Sequence, residues 1–165
     1  MMCSKPFLFT KFHYIIALIL LVSAGCASNR KLTVREQKVN KIINTSKTFM
    51  GTPYRYGGTS ARGMDCSGLL LISFKSADIS LPRSAREQSK IGKPVSIQQL
   101  RRGDLVFFAT KKRGRKVSHA GLVTEIKGKR SVKFIHASSS RGVIEDNLYS
   151  SYYKKAFVKA RRPVF

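Results

Sequence analysis

Three residues of this chain could together carry out nucleophilic catalysis. Cys66 lies between Asp65 and Ser67, and two histidines, His119 and His136, follow it on apolar segments. A catalytic thiol needs an imidazole to take its proton, and that imidazole needs a polar partner to orient it. These residue types, in this order, are the parts that a cysteine hydrolase requires.

The residues around Cys66 predict that the thiol stands at the start of a helix. Asp65 is a suitable N-cap, and an apolar run over residues 69–74 follows. At a helix amino terminus and beside an imidazolium, the pKa of a thiol can fall to roughly 3.5–7.5. The N–H groups of that turn could also stabilise an oxyanion. Taken alone, Cys66 could equally be a small buried apolar residue, although Gly68 would allow close packing behind a functional thiol.

The elements that must position these residues are helical first and extended later. Thr33 and Glu36 form the pattern of a capping box, and apolar residues at helical spacing then predict a helix over residues 34–50. Further short or partial helices are predicted over residues 81–88 and 147–154, and strands over residues 104–108, 118–126, 131–138, 143–145 and 156–161. Helices followed by strands favour an α+β fold.

The hairpin of the second and third predicted strands decides whether the two histidines meet. In an antiparallel pair, facing residues have a constant sum of residue numbers, and residues on one face differ by two. A two-residue loop over 127–128 gives a sum of 255 and places His119 opposite His136. A four-residue loop over 127–130 gives 257 and a diagonal pair on one face, whereas a loop of odd length separates the rings. We predict a shared face, on which His136 can accept the N–H of His119 and fix its tautomer.

The same three side chains could instead bind a metal. One cysteine and two histidines would make a three-ligand zinc site with an open position for water, as catalytic zinc prefers. Cys66, His119 and His136 lack the short spacings of common zinc ligand sets. Neither a metal nor another cofactor is therefore expected.

The first 25 residues predict an export signal. Lys5 and Lys11 precede the apolar run Tyr14–Val22, whose nine residues are too few to span a bilayer, because a helix needs about 20. Small residues then lead to Cys26, and the segment resembles a bacterial lipoprotein signal. The resemblance implies cleavage before Cys26, a lipid on its sulfur, and sorting to the outer membrane because Ala27 follows. Ordinary cleavage and secretion is the alternative.

The remainder of the chain suits one domain. Residues 26–33 are predicted to be the lipidated cysteine and a short tether, and residues 34–165 a single domain. This mature chain would carry 30 basic and 8 acidic residues, a net charge of +22, because the signal holds two lysines and no acid. Outside the cell, such a charge favours anionic wall or lipid surfaces, although a solvated basic face without a partner is the alternative. The sequence contains no recognisable nucleic-acid-binding motif, and nucleic acid is not expected as a partner.

Six motifs resemble those of one protein family. They are PYRYGG (53–58), DCSG (65–68), LPRSAREQ (81–88), GDLVFF (103–108), SHAGL (118–122) and FIHASSSRGV (134–143). Each is weak alone, but six in the family's order are highly specific, and they span nearly all of the chain after Val39. On these motifs the chain resembles the NlpC family of bacterial cell-wall cysteine peptidases, and within it the lipoprotein murein endopeptidases of the Spr/MepS type.

The resemblance implies a papain-like α+β fold, in which the nucleophile helix packs on an antiparallel sheet of about five or six strands. It implies that Cys66 is the nucleophile, His119 the base and His136 the third member of a triad. Tyr54 would donate its hydroxyl to the oxyanion together with the N–H of Cys66. The expected substrate-binding residues are Asp65, Ser67, Arg83 and Ser84.

Several of these roles have structural alternatives. Arg83 could clamp a substrate carboxylate bidentately or pin a loop. Asp65 and Ser67 could line the substrate site or only cap the helix, and Tyr54 could be a core aromatic residue with a satisfied hydroxyl.

The resemblance also implies an activity and a location. The expected reaction is hydrolysis of an amide bond in murein stem peptides or their crosslinks through an acyl-enzyme, in cell-wall remodelling. The expected partners are those peptides and a membrane reached through the lipid anchor, with the protein a monomer that faces the periplasm. Two other classes stay open: a wall-binding lipoprotein without catalysis, and an acyltransferase that uses the same triad.

Overall fold

The computed structural model describes residues 32–110 and 115–164. The predicted signal over residues 1–25, Cys26 and most of the tether lie outside these residues. Within the described part, no helix is both long enough and apolar enough to cross a membrane.

Four helices are present in the described residues. They are α1 (Val34–Thr48), α2 (Cys66–Lys75), α3 (Ala85–Gln88) and α4 (Ser151–Ala156). Helix α1 begins with the predicted capping box: the Glu36 N–H donates to Thr33 Oγ1 at 3.2 Å, and the Thr33 N–H donates to Glu36 Oε2 at 2.8 Å. It ends two residues before the predicted boundary, and α3 and α4 are each shorter than the predicted segments.

A six-stranded antiparallel sheet confirms the predicted α+β class. Its strands are β3 (Lys93–Val95), β4 (Leu105–Phe108), β5 (His119–Gly128), β6 (Ser131–Ser138), β7 (Gly142–Asn147) and β8 (Phe157–Arg162), in the order β3-β8-β4-β5-β6-β7. A separate ribbon of β1 (Thr59–Ser60) and β2 (Gly63–Met64) precedes α2. The sequence analysis missed this ribbon and β3, because two- and three-residue strands leave no alternating pattern.

The β5–β6 hairpin brings the two histidines onto one face. Its turn is Lys129–Arg130, because Gly128 pairs with Ser131, so both predicted loop boundaries are wrong. Register shifts after Val123 and after Ile126 each place one additional residue in β5. At the histidine end Leu122 therefore pairs with Ile135, a sum of 257, which was one of the two predicted registers. Two shifts preserve the face, whereas one would have separated the rings.

Apolar side chains cover both faces of the sheet. Helices α1 and α2 pack on the face that carries Leu105 and Phe107, and the buried residues there include Ile42, Leu69, Leu70 and Phe74. The opposite face carries Val106 and Phe108 and is covered by Leu100, Leu148 and Tyr153. His119 pairs with Phe108, and His136 stacks on Phe134 with ring centroids 4.9 Å apart. The nucleophile helix and the histidine pair therefore belong to opposite faces of the sheet and meet at the end of β5.

Candidate active site

Cys66 lines two neighbouring cavities. One, of about 570 Å³, extends over the loop before α3, and the other, of about 620 Å³, extends over the ends of β5 and β6. Both are lined by Tyr54, Cys66 and Ser118. The second also contains His119 and His136. The thiol therefore faces a cleft that continues on either side of it.

The start of α2 places the thiol. Asp65 is the N-cap, as predicted, and its Oδ1 accepts the Gly68 N–H at 2.7 Å. Its other oxygen, Oδ2, accepts the Gly57 N–H at 2.9 Å and so ties the preceding loop to the helix. A Cβ at Gly68 would collide with the carbonyl of Gly58, which lies against this first turn. The absence of a side chain at Gly68 thus allows the loop to approach the helix behind the thiol.

The protonation of Cys66 differs from the sequence expectation. Burial raises the pKa of the thiol to about 11, although the N–H groups of Ala120, Ser67 and Cys66 itself favour the thiolate. The nearby Asp65 charge raises the pKa further. Proximity to a helix amino terminus predicted a lowered pKa, but desolvation is the larger effect for a group this buried. At physiological pH, Cys66 is therefore a neutral thiol.

His119 and His136 form the predicted pair. His119 Nε2 lies 2.9 Å from His136 Nδ1, and the rings are nearly perpendicular, with an interplanar angle of 86°. The space around them depends on Gly121, because a Cβ there would collide with the Phe134 ring on which His136 stacks. The two imidazoles are thus held in direct contact by the register of the hairpin.

Both imidazoles are neutral at physiological pH. Burial and the adjacent His136 lower the pKa of His119 to about 3. Burial also lowers the pKa of His136, which is fully enclosed, although Asp146 opposes that effect. A neutral His119 is in the form that can accept a proton from the thiol.

Tyr54 lies beside the sulfur. The Met64 N–H donates to the Pro53 carbonyl at 3.1 Å and the Arg55 N–H to the Met64 carbonyl at 3.2 Å, so the chain around Tyr54 runs along the strand that precedes Cys66. Burial, followed by the charges of Cys66 and Asp65, raises the pKa of the phenol. The hydroxyl therefore stays protonated and can donate to an oxyanion in the cleft.

Arg83 pins the cleft rather than waiting for a substrate carboxylate. Its guanidinium donates to both oxygens of Asp65, at 3.0 and 2.8 Å, and to Ser67 Oγ at 2.9 Å. Ser67 Oγ in turn donates to Asp65 Oδ1 at 3.0 Å. Of the two predicted roles of Arg83, the structure favours the pin. Among the described residues, the Asp65 carboxylate accepts five hydrogen bonds, and the Ser67 hydroxyl is hydrogen-bonded within the same network. Both residues line the first cavity, but these groups are used to hold the structure together.

Ser84 and Gln88 fix the loop that carries Arg83. Ser84 Oγ accepts the Glu87 N–H at 3.2 Å and caps α3, while the residue also lines the first cavity. The buried Gln88 amide donates to the carbonyls of Ser67 and Pro82, at 3.0 and 2.9 Å. Gln88 thereby links α3 to the nucleophile turn, a role that the sequence analysis did not assign.

Three further polar residues adjoin His136, and the sequence analysis missed all of them. Asp146 Oδ2 lies 3.0 Å from His136 Nε2, and Arg141 donates to that same oxygen at 2.7 Å. The Tyr153 hydroxyl lies 3.2 Å from His136 Nε2. The signal for Asp146 was present, because in the β6–β7 register Ile144 faces His136, and Asp146, two residues on, shares that face.

The geometry of the histidine pair does not suit a metal. The facing nitrogens are 2.9 Å apart, which leaves no space for an ion between them. In residues 32–110 and 115–164, no three His, Cys, Asp or Glu side chains converge as metal ligands.

Comparison with known proteins gives consistent matches. Residues 51–162 match the sequence profile of the NlpC/P60 family. The chain is 35% identical over 155 residues to the Escherichia coli K12 protein named probable endopeptidase NlpC, covering 90% of this chain and 97% of that protein. It is 38% identical over 124 residues to the E. coli K12 murein DD-endopeptidase MepS/murein LD-carboxypeptidase, covering 74% of this chain and 62% of that protein.

Solved structures match over most of the chain. An NlpC/P60 family protein from Bacillus cereus has a TM-score of 0.66 and 36% identity, covering 75% of this chain and 39% of that one. A protein from Staphylococcus aureus described as similar to lipoprotein, NLP/P60 family, has a TM-score of 0.68 and 29% identity, covering 90% of this chain and 48% of that one. This chain therefore corresponds to less than half of each of those proteins.

Proposed function

The chain belongs to the NlpC/P60 family, and we propose that it hydrolyses an amide bond in peptidoglycan stem peptides or in their crosslinks. The observation that carries this proposal is the cleft in which the Cys66 thiol, the Tyr54 phenol and the paired imidazoles of His119 and His136 line one cavity. The names of two relatives support the substrate class. One is the murein DD-endopeptidase of E. coli, and another is a Bacillus subtilis gamma-D-glutamyl-L-lysine dipeptidyl-peptidase, 36% identical over 132 residues.

The reaction divides amide hydrolysis into two steps. The Cys66 sulfur attacks the carbonyl carbon while His119 takes the thiol proton, and the negative charge moves to the carbonyl oxygen. The N–H of Cys66 and the hydroxyl of Tyr54 would donate to that oxygen. The C–N bond then breaks as His119 returns the proton to the leaving amine, which leaves a thioester. Water attacks the thioester with His119 as base, and the thiol receives the proton back.

The protonation state at rest determines when the thiol loses its proton. Because burial raises the pKa of Cys66 and lowers that of His119, the resting pair is neutral. Proton transfer then accompanies the attack rather than preceding it. A neutral thiol also oxidises less readily than a thiolate, which suits export to an oxidising compartment.

The shape of the cleft supports cleavage within a peptide. Cys66 lines both cavities, so a chain could extend from the scissile bond in both directions. Both halves are lined by charges of both signs, with Arg86 and Glu87 in the first cavity and the paired Arg141 and Asp146 in the second.

We further propose that the protein acts as a monomeric lipoprotein of the outer membrane that faces the periplasm. The support is the sequence of residues 1–27, with a basic start, nine apolar residues and Cys26 after small residues. The net charge of +22 after cleavage would add attraction to anionic wall and lipid surfaces. Replacement of Cys26→Ser should release the protein from the envelope fraction. Unchanged membrane fractionation would contradict a lipid anchor at this position.

The activity is tested on purified sacculi by mass spectrometry of the released fragments. The wild-type protein should produce peptides with a new amine and a new carboxylate at one bond, and Cys66→Ala should produce none. Ser73→Ala is the matched control, because Ser73 is buried on the same helix and, among the residues that the structure describes, its hydroxyl donates only to the Leu69 carbonyl. Equal fragment release by the wild type and Cys66→Ala would overturn the proposal, and adducts with added amines would indicate acyl transfer instead.

A further inference from the structure

The hydrogen-bonded line that begins at His119 does not end at His136. It continues from His136 Nε2 to Asp146 Oδ2 at 3.0 Å, and Arg141 holds the same oxygen at 2.7 Å. His136 is completely buried, so its ring nitrogens have only these protein partners and Tyr153 within reach among the described residues. The group at the end of the line therefore influences every proton along it.

A carboxylate imposes one direction on this line. An ionised aspartate can only accept hydrogen bonds, so His136 must donate to it from Nε2. A neutral imidazole carries one proton, which leaves His136 Nδ1 as an acceptor. His119 must then donate from Nε2, and its own Nδ1 is left with a free lone pair. In this tautomer, His119 can take a proton from a thiol at Nδ1.

The Tyr153 hydroxyl would impose the opposite direction. It lies 3.2 Å from His136 Nε2, and burial together with the charge of Asp146 raises the pKa of the phenol, so it remains a donor. If Tyr153 donated to Nε2, His136 would carry its proton on Nδ1 and donate to His119 Nε2. His119 would then hold its proton on Nδ1 and could not act as a base from that nitrogen.

The carboxylate is held in its accepting form. Burial opposes ionisation, but hydrogen bonds from His136 and Arg141 outweigh it and lower the pKa of Asp146. Asp146 Oδ2 is therefore an acceptor for the N–H of His136.

We propose that Asp146 is a positioning residue that sets the tautomers of both histidines against the competing Tyr153 hydroxyl. Arg141 supports it by fixing the oxygen that accepts from His136. Asp146 touches neither the sulfur nor the substrate carbonyl in this scheme and acts through two rings. The inference rests on the proposed function only in taking His119 as the base.

The test measures the imidazole protons directly, by ¹⁵N NMR of the histidine-labelled full chain at pH 7.5. In the wild type, both Nε2 atoms should be protonated and both Nδ1 atoms bare. In Asp146→Ala, the proton should move to Nδ1 in both rings, and sacculus hydrolysis should fall by about 10²-fold, the lower end of general-base contributions. Glu125→Ala is the matched control, because it removes an exposed carboxylate that pairs with Lys127 and Lys133 far from the rings.

One further variant separates this role from simple packing. The double variant Asp146→Ala with Tyr153→Phe removes the competing donor and should restore the wild-type tautomers and at least about tenfold of the lost rate. Unchanged tautomers in Asp146→Ala, or a double variant no faster than the single one, would each overturn the proposal. Because the NMR measurement uses no peptidoglycan, it remains decisive even if the wild type releases nothing from sacculi.

Discussion

Two pairs of an aspartate and an arginine lie on the two sides of the Cys66 sulfur. On the helix side, Arg83 binds Asp65 at 2.8 Å, and on the sheet side, Arg141 binds Asp146 at 2.7 Å. The ion pairs are alike in chemistry and distance, but the remaining lone pairs of the two carboxylates meet different groups. Asp65 accepts from backbone N–H groups and a hydroxyl, whereas Asp146 accepts from an imidazole.

This difference separates architecture from proton control. A carboxylate that receives backbone N–H groups fixes the position of a loop and a helix, and its loss should appear mainly in stability. A carboxylate that receives an imidazole N–H determines where that ring holds its proton, and its loss should appear mainly in rate. The same ion pair can therefore serve either purpose, depending on the third partner of the acid.

The largest expected effect is on the sheet side. His119→Ala should lower sacculus hydrolysis by about 10²–10⁴-fold, because the base that takes the thiol proton is lost. The free energy of unfolding should also fall, by about 1–3 kcal/mol, because Nδ1 of the buried His136 loses its hydrogen bond to His119. Parallel measurement of hydrolysis and urea unfolding checks this. A rate within tenfold of the wild type would contradict the role of His119.

On the helix side, the expected effect is on stability. Asp65→Ala removes the N-cap of α2, at about 1 kcal/mol, and the hydrogen bonds from the Gly57 N–H and the Ser67 hydroxyl, at about 0.5–1.5 kcal/mol each. The free energy of unfolding should fall by about 2–4 kcal/mol in urea titrations. Ser84→Ala, which removes only the cap of the short helix α3, is the control and should cost less. A loss below about 0.5 kcal/mol would contradict the architectural role of Asp65.

The reactivity of Cys66 tests whether desolvation or the helix amino terminus dominates the pKa of its thiol. With the pKa of Cys66 raised to about 11, alkylation by iodoacetamide should rise by about tenfold per pH unit between pH 7 and 10, since only the thiolate reacts. In urea the unfolded thiol, with a pKa near 8.5, should reach its plateau by about pH 9.5. A plateau below pH 7 in the folded protein would instead reveal a thiolate beside an imidazolium.

The two sides should also differ in their response to acid. Folding lowers the pKa of His119 and His136 below the unfolded value of about 6.5, so the unfolded chain binds protons first as the pH falls. Stability from these rings is present above about pH 6.5 and is lost below it, by up to about 1.4 kcal/mol per pH unit for each ring. The lowered pKa of Asp65 acts only below about pH 4. The urea midpoint of the wild type should fall between pH 7 and 4, and it should fall less steeply in His136→Gln. An equally steep fall in this variant would contradict the assignment of the pH dependence to the buried histidines.

The smallest expected effect distinguishes a bidentate ion pair from a single charge. Arg83→Lys keeps the charge but cannot bind both oxygens of Asp65 together with the Ser67 hydroxyl. Because the Arg83 side chain is 43% exposed, the cost should be about 1 kcal/mol or less. Urea unfolding at low and high salt measures it, and a large salt-independent loss would contradict a solvent-screened pair.

Much of the site was accessible from the sequence because it depends on local rules. The N-cap at Asp65 was predictable because its side chain accepts the N–H of Gly68, only three residues later. The meeting of His119 and His136 follows from the two-residue period of strands, and it survived an incorrect loop assignment because two bulges preserve the face. The sequence left two roles open for Arg83, because its partner Asp65 is distant in the chain and no local rule encodes that contact. Strand alternation placed Asp146 on the face of His136, but only the structure shows the contact between them.

By itself, the sequence determined the chemical groups, their order and the faces on which they lie, because capping and strand alternation act between near neighbours. Only the tertiary structure decided how those groups are protonated and which lone pairs remain available. Desolvation of Cys66 outweighs its helix terminus, Arg83 is committed to Asp65, and Asp146 completes the line from His119. These outcomes depend on long-range packing, which sets the local dielectric and the hydrogen-bond partners of each group.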